Sequence, residues 1–206
     1  MGSTSRALAA AIVTTACWMA PTAATARQEA ISPQAGELRQ WVLRTRDHRA
    51  RPFAIVDKRH ARLHVFDAAG RERGTTPVLL GQALGDDIAP QAGANAQVGK
   101  VPFEERTTPA GRFETEPGIN LKGEQVVWVD YESAFAIHRL RSGSGYKQRV
   151  ERLASPTPAD RRVSLGCVVV PEAFYLDVVQ RTMGDGPAVV YVMPESGSMR
   201  VLPGAM

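Results

Sequence analysis

Cysteine is nearly missing from this chain: its 206 residues include only Cys17 and Cys167. That scarcity excludes a small scaffold stapled by disulfides. With four scattered histidines it also leaves no zinc-ligand spacing, so neither a metal nor another cofactor is expected. Aromatic residues make up 6%, and the basic residues are not interleaved with them on one face. An interface for nucleic acid is therefore not expected. Beyond the N-terminus no apolar run approaches the ~20 residues needed to cross a bilayer. Internal repeats and low-complexity tracts are missing too.

The first residues, "MGSTSRALAAAIVTTACWMAPTAATA", read as an export signal. Arg6 supplies a short positive start, Ala7 to Ala20 an apolar stretch, and Ala24-Thr25-Ala26 the small-x-small cleavage pattern. Cys17 as a lipid-bearing residue is the lesser alternative, because "VTTAC" lacks the usual upstream leucine. Cleavage after Ala26 leaves about 180 residues, enough for one domain with a real core. It also leaves Cys167 as the sole cysteine of an exported protein, where thiols are normally paired. A leftover thiol there is a candidate reactive group. The net charge of +4 and a pI near 9.4 suit a chain working against an anionic polymer such as cell wall.

The periodicities divide the rest. Residues 27–51 carry an arginine-rich helix opened by Ser32-Pro33, with Leu38, Trp41, Val42 and Thr45 on one face and Arg39, Arg44 and Arg46 solvated. Residues 52–194 form the main domain, and 195–206 a tail. Strands are expected at 53–57, 61–66 and in "TPVLLGQAL", "EQVVWVDY", "SAFAIHRL" and "PAVVYVMP". His60 and His64 are expected at the surface. Residues 85–106 read as a long loop, and Thr108-Pro109-Ala110-Gly111 as a β-turn. "PEAFYLDVVQRTMGDG" reads as a helix from Pro171 to Gly184 with Phe174 and Val178 facing the core. The sum is a mainly-β domain with two or three short helices.

The chemistry centres on "RRVSLGCVVVPEAF". A thiol becomes a nucleophile when a base or a positive environment favours its thiolate. His138 in "SAFAIHRL" is the candidate base, with Ala134 and Ala136 on its face and Phe135 and Ile137 on the other. Gly166 permits close backbone approach, and the amides of Leu165 to Cys167 are candidates for an oxyanion hole. Ser164 either donates to the site or closes the turn.

His at the end of an apolar strand, then Ser-x-Gly-Cys and aliphatics, resembles the YkuD-type L,D-transpeptidase family. The "TTPAGRF" turn upstream and the order of the parts are similar to the same family, over roughly residues 52–194. The chain departs from the pattern at Leu165 and Val169, where the family usually carries His and then Asn or Arg. Residues 139–162 add a basic insertion, with Arg141, Lys147, Arg149 and Arg152 as candidate lid charges.

The resemblance implies a mainly-β, sandwich- or barrel-like transpeptidase fold. It implies that Cys167 attacks a peptidoglycan tetrapeptide stem, that His138 manages the protons, and that an amine resolves the thioester into a 3→3 cross-link. Water as acceptor makes the same site a carboxypeptidase or endopeptidase. A wall-binding relative without turnover is a further alternative. An unrelated papain-like or sortase-like hydrolase ranks last, because here His precedes Cys and both lie on strand-like runs.

Overall fold

The computed structural model describes Met1 and residues 31–195. The export signal, Cys17 and all of the tail beyond Glu195 lie outside the described residues. Helix α1 (Pro33–Thr45) begins at Ser32, whose hydroxyl accepts from the Ala35 amide at 3.2 Å, with Pro33 in the first turn. Strands follow at β1 (Phe53–Asp57), β2 (Arg62–Phe66), β3 (Glu72–Pro77) and β4 (Leu80–Gly81). Helix α2 (Ala92–Gln97) precedes β5 (Gly111–Ile119), β6 (Gln125–Asp130) and β7 (Phe135–Arg139). Helix α3 (Tyr146–Ala154), β8 (Arg162–Ser164) and β9 (Val168–Val170) come next. A final helical run, α4, passes from Glu172–Phe174 through a π-helical turn, Tyr175–Val179, to Gln180–Met183, and β10 (Ala188–Val192) closes the order.

Among the described residues the main sheet runs β3-β2-β1-β10-β5-β6-β7-β9. Two pairs are parallel, β1 with β10 and β7 with β9. Just past β3, Leu79 bridges Val169 of β9, so the chain leaving one edge strand is bonded to the other. The sheet thereby curls into a nearly closed barrel with short helices around it. Its interior is filled by Val56, Leu63, Val65, Ile137, Val168 and Val190, and sealed by Tyr175, Val179 and Met183 of α4. On the outer face, α1 lays Ala35, Leu38 and Val42 over Phe53, Ile55 and Tyr191. Complete burial of a leucine or valine contributes roughly 1.5–3 kcal/mol, which holds α1 in place.

Several expectations need correction. His64 is buried, not solvated: it pairs with Ile55 on the outer face, which α1 and its N-terminus cover. Arg39 is not free in solvent either, since its guanidinium lies 5.3 Å from the Phe66 ring centroid and donates to Gly70 O at 2.8 Å. The strand expected in "TPVLLGQAL" starts earlier, at Glu72, and breaks at Val78. Residues 92–97 are helical within the stretch read as loop, and the strand β5 directly follows the Pro-Gly turn. In α4 the fully buried stripe is Tyr175, Val179 and Met183, while Phe174 and Val178 only flank the core.

Candidate active site

A parallel strand pair needs a crossover of a dozen residues or more. The basic insertion is that crossover: it carries the chain from β7 through α3 and β8 to β9. In the resulting register His138 lies opposite Val169, and Ile137 opposite Val168. Cys167, two positions before Val169, therefore projects to the same side of the sheet as His138. The two are offset by two residues, about 6–7 Å along the strands, and the hydrogen bond of the Cys167 thiol goes to Ala134 O rather than to the imidazole. Both line one groove of about 540 Å³, together with Arg141, Arg149, Lys122 and Val169.

Cys167 sits at the end of a tightly tied turn. Ser164 Oγ donates to Cys167 O at 2.7 Å and accepts from the Gly166 amide at 3.1 Å. Ser164 thus closes the turn, and the Gly166 amide is engaged within it, which removes that amide from the expected oxyanion hole. Leu165, half-exposed, stands at the tip. Gly166 has φ +136°, and a Cβ there would meet Thr107 O at 2.8 Å, so the position demands glycine. Thr108 Oγ1 donates to Gly166 O at 2.8 Å and accepts from the Gly81 amide at 2.8 Å, fastening the turn to β4. The threonine of the Thr-Pro segment, fully buried, thereby braces the turn from behind.

The Cys167 thiol donates to Ala134 O at 3.5 Å. Burial pushes its pKa up, with the Ala136 amide and Arg141 opposing. His138 is shifted the other way: burial lowers its pKa, and the Arg139 carbonyl offsets part of that. His138 Nδ1 lies 2.9 Å from Arg139 O. A carbonyl only accepts, so Nδ1 carries the proton and Nε2 of the neutral ring keeps its lone pair. The resting pair is thiol and neutral imidazole, the protonation state a general base needs.

A second, apolar cavity of about 140 Å³ opens on the other side of Cys167, walled by Ile88, Ala92, Val101, Ala134, Phe135 and Leu165. The hollow expected beside both alanines is therefore centred on Ala134; Ala136 is buried. Of the four insertion charges, Arg141 and Arg149 reach the groove. Arg152 pairs instead with Asp160 at 3.6 Å, and Lys147 is not among the groove residues. Arg141 in turn pairs with Glu124, and Arg149 donates to Arg141 O at 3.2 Å. Lys122, which joins them from the β5–β6 turn, has no signal in the sequence pattern. Among the described residues no cluster of three or more His, Cys, Asp or Glu can hold a metal ion. Nor is any described helix long and apolar enough to cross a membrane.

No protein-family model and no curated protein matches the chain. Among solved structures, the catalytic domain of an L,D-transpeptidase from E. faecium is 17% identical, with a TM-score of 0.36 over 68% of this chain and 95% of that one. An L,D-transpeptidase from Mycobacterium smegmatis is 18% identical, with a TM-score of 0.37 over 69% of this chain and 58% of that one. Similarity at this level leaves the functional reading to rest on the residues of the site.

Proposed function

We propose that this chain is an exported cysteine acyltransferase, an L,D-transpeptidase acting on peptidoglycan stem peptides in the bacterial envelope. The observation that carries the reading is the placement of Cys167 and His138 on one face of adjacent parallel strands, lining a single groove. His138 Nε2 takes the thiol proton as sulfur attacks the stem carbonyl, and the same nitrogen returns it to the departing amine. The amides of Leu165 and Cys167 remain as candidate donors to the oxyanion, and Ser164 and Gly166 set their orientation. Arg141, Arg149 and Lys122 supply positive charge for stem carboxylates. An amine acceptor resolves the thioester into a cross-link, and water resolves it into a shortened stem. The site calls for no metal or other cofactor. Export rests on the pattern of residues 1–26 and the solitary thiol.

The test is incubation of the purified protein with disaccharide-tetrapeptides and mass analysis of the products. Cross-linked dimers support transpeptidation, and tripeptides support hydrolysis at the same site. Unaltered tetrapeptide, with the protein still binding sacculi, would replace the proposal with a wall-binding function.

A further inference from the structure

One buried cation lies behind the nucleophile's turn. Lys58 follows β1 and its side chain is 0% exposed. Its ammonium donates to Gly85 O at 2.7 Å, Asp86 Oδ1 at 2.6 Å and Thr108 O at 2.6 Å, which uses all three protons. Glu195 adds a second carboxylate at 3.4 Å and is itself paired with Arg162 at 2.6 Å. Thr108 passes the connection on, since its hydroxyl donates to Gly166 O beside Cys167. Gly85 and Asp86 begin the stretch that supplies Ile88, Ala92 and Val101 to the apolar cavity. A single nitrogen therefore joins the cavity wall to the turn that holds the thiol.

Stability alone is a poor reason to keep such a group. Replacing a buried ion pair by apolar residues of similar volume is often neutral or favourable, because desolvation offsets the attraction. What an apolar side chain cannot reproduce is the fixed geometry of three converging hydrogen bonds.

We propose that Lys58 and Thr108 are positioning residues for Cys167, holding the Ser164–Cys167 turn and the neighbouring cavity wall in one fixed arrangement. Neither touches a reacting atom; both act through the backbone of Gly166. The proposal deepens the acyltransferase reading, but its thiol chemistry is measurable without it. Loosening the turn lets water reach the sulfur, which eases thiolate formation while spoiling its aim.

The experiment compares the full-length protein with Thr108→Val, Thr108→Ser and Lys58→Met, well below each variant's melting temperature. Alkylation of Cys167 by iodoacetamide is followed across pH by peptide mapping, and acylation by a tetrapeptide stem by intact mass. Thr108→Val and Lys58→Met are expected to move the alkylation inflection down by about one pH unit, a roughly tenfold gain in thiolate near neutrality. Acylation by the stem is expected to slow by about tenfold or more, and Thr108→Ser to restore both. Thr108→Val is uncharged and close in shape, so it decides the matter if Lys58→Met does not fold. If the wild type is not acylated by the stem, the acyltransferase reading fails and the alkylation profiles alone judge this proposal. Wild-type alkylation profiles in folded Thr108→Val would overturn it, as would a change that Thr108→Ser does not reverse.

Discussion

β1 with β10 and β7 with β9 are the two parallel pairs of the sheet, built from similar apolar runs, yet they serve different ends. "FAIVD" and "AVVYV" are buried along their whole length, because the barrel interior takes one face and α1 takes the other. "FAIHR" buries Phe135 and Ile137 inside but turns His138 toward a groove, and the turn leading into β9 brings Cys167 into the same groove. The difference lies in what covers the outer face. A helix with a leucine-valine stripe seals the first pair, whereas a glycine- and arginine-containing crossover leaves the second pair partly open. Apolar strands alone do not make a site; the missing cover does.

Substitutions can break this contrast. His138→Gln removes the proposed base from the open pair and is expected to slow acylation by about 10²–10⁴-fold with the melting temperature nearly unchanged. Comparable loss of stability in that variant would make His138 a packing residue. Leu38→Ala, under the covered pair, should show the opposite pattern. Denaturant titration is expected to register a loss of about 2–5 kcal/mol, while the acylation rate of the folded fraction stays the same. A stability change well below that range would mean α1 is not what seals β1 and β10.

The covered pair also predicts a pH response. Burial first, with Arg62 adding, lowers the His64 pKa to about 4 in the folded protein, against about 6.5 when unfolded. Above pH 6.5 neither state binds the proton, so His64 contributes no slope. Between 6.5 and 4 only the unfolded chain binds it, and stability falls as the pH falls, by roughly 3 kcal/mol in all. His138, also lowered by burial, acts in the same direction. His64→Gln should flatten much of the stability loss between pH 6.5 and 4; an unchanged slope would place the response elsewhere.

Much of the covered half was legible in the sequence, because period-2 and period-3.6 patterns report burial directly. Ser32-Pro33 marks the start of α1 and Phe53 that of β1, and "PAVVYVMP" contains β10. The failures share a cause. Strand alternation puts His64, and helical periodicity Arg39, on a solvated face, and neither local pattern reveals that α1 covers the sheet's outer face. The strand β5 was missed because its residues, "GRFETEPGI", mix charge, proline and glycine. At the site, Cys167 and His138 stood out through chemistry. Lys58, Lys122 and the part played by Thr108 depend on contacts between segments far apart in the chain, 58 residues for Thr108 with Gly166 and more for Lys58 with Glu195, which no local pattern encodes.

The most direct measurement is the mass of the intact protein after brief exposure to a tetrapeptide stem, made in parallel on wild type, His138→Gln and Cys167→Ala. A thioester adduct is expected on wild-type Cys167, forming far more slowly in His138→Gln and never in the alanine variant. An adduct that persists in Cys167→Ala, or a wild-type protein that stays unmodified while its stem peptides are consumed, would contradict the account.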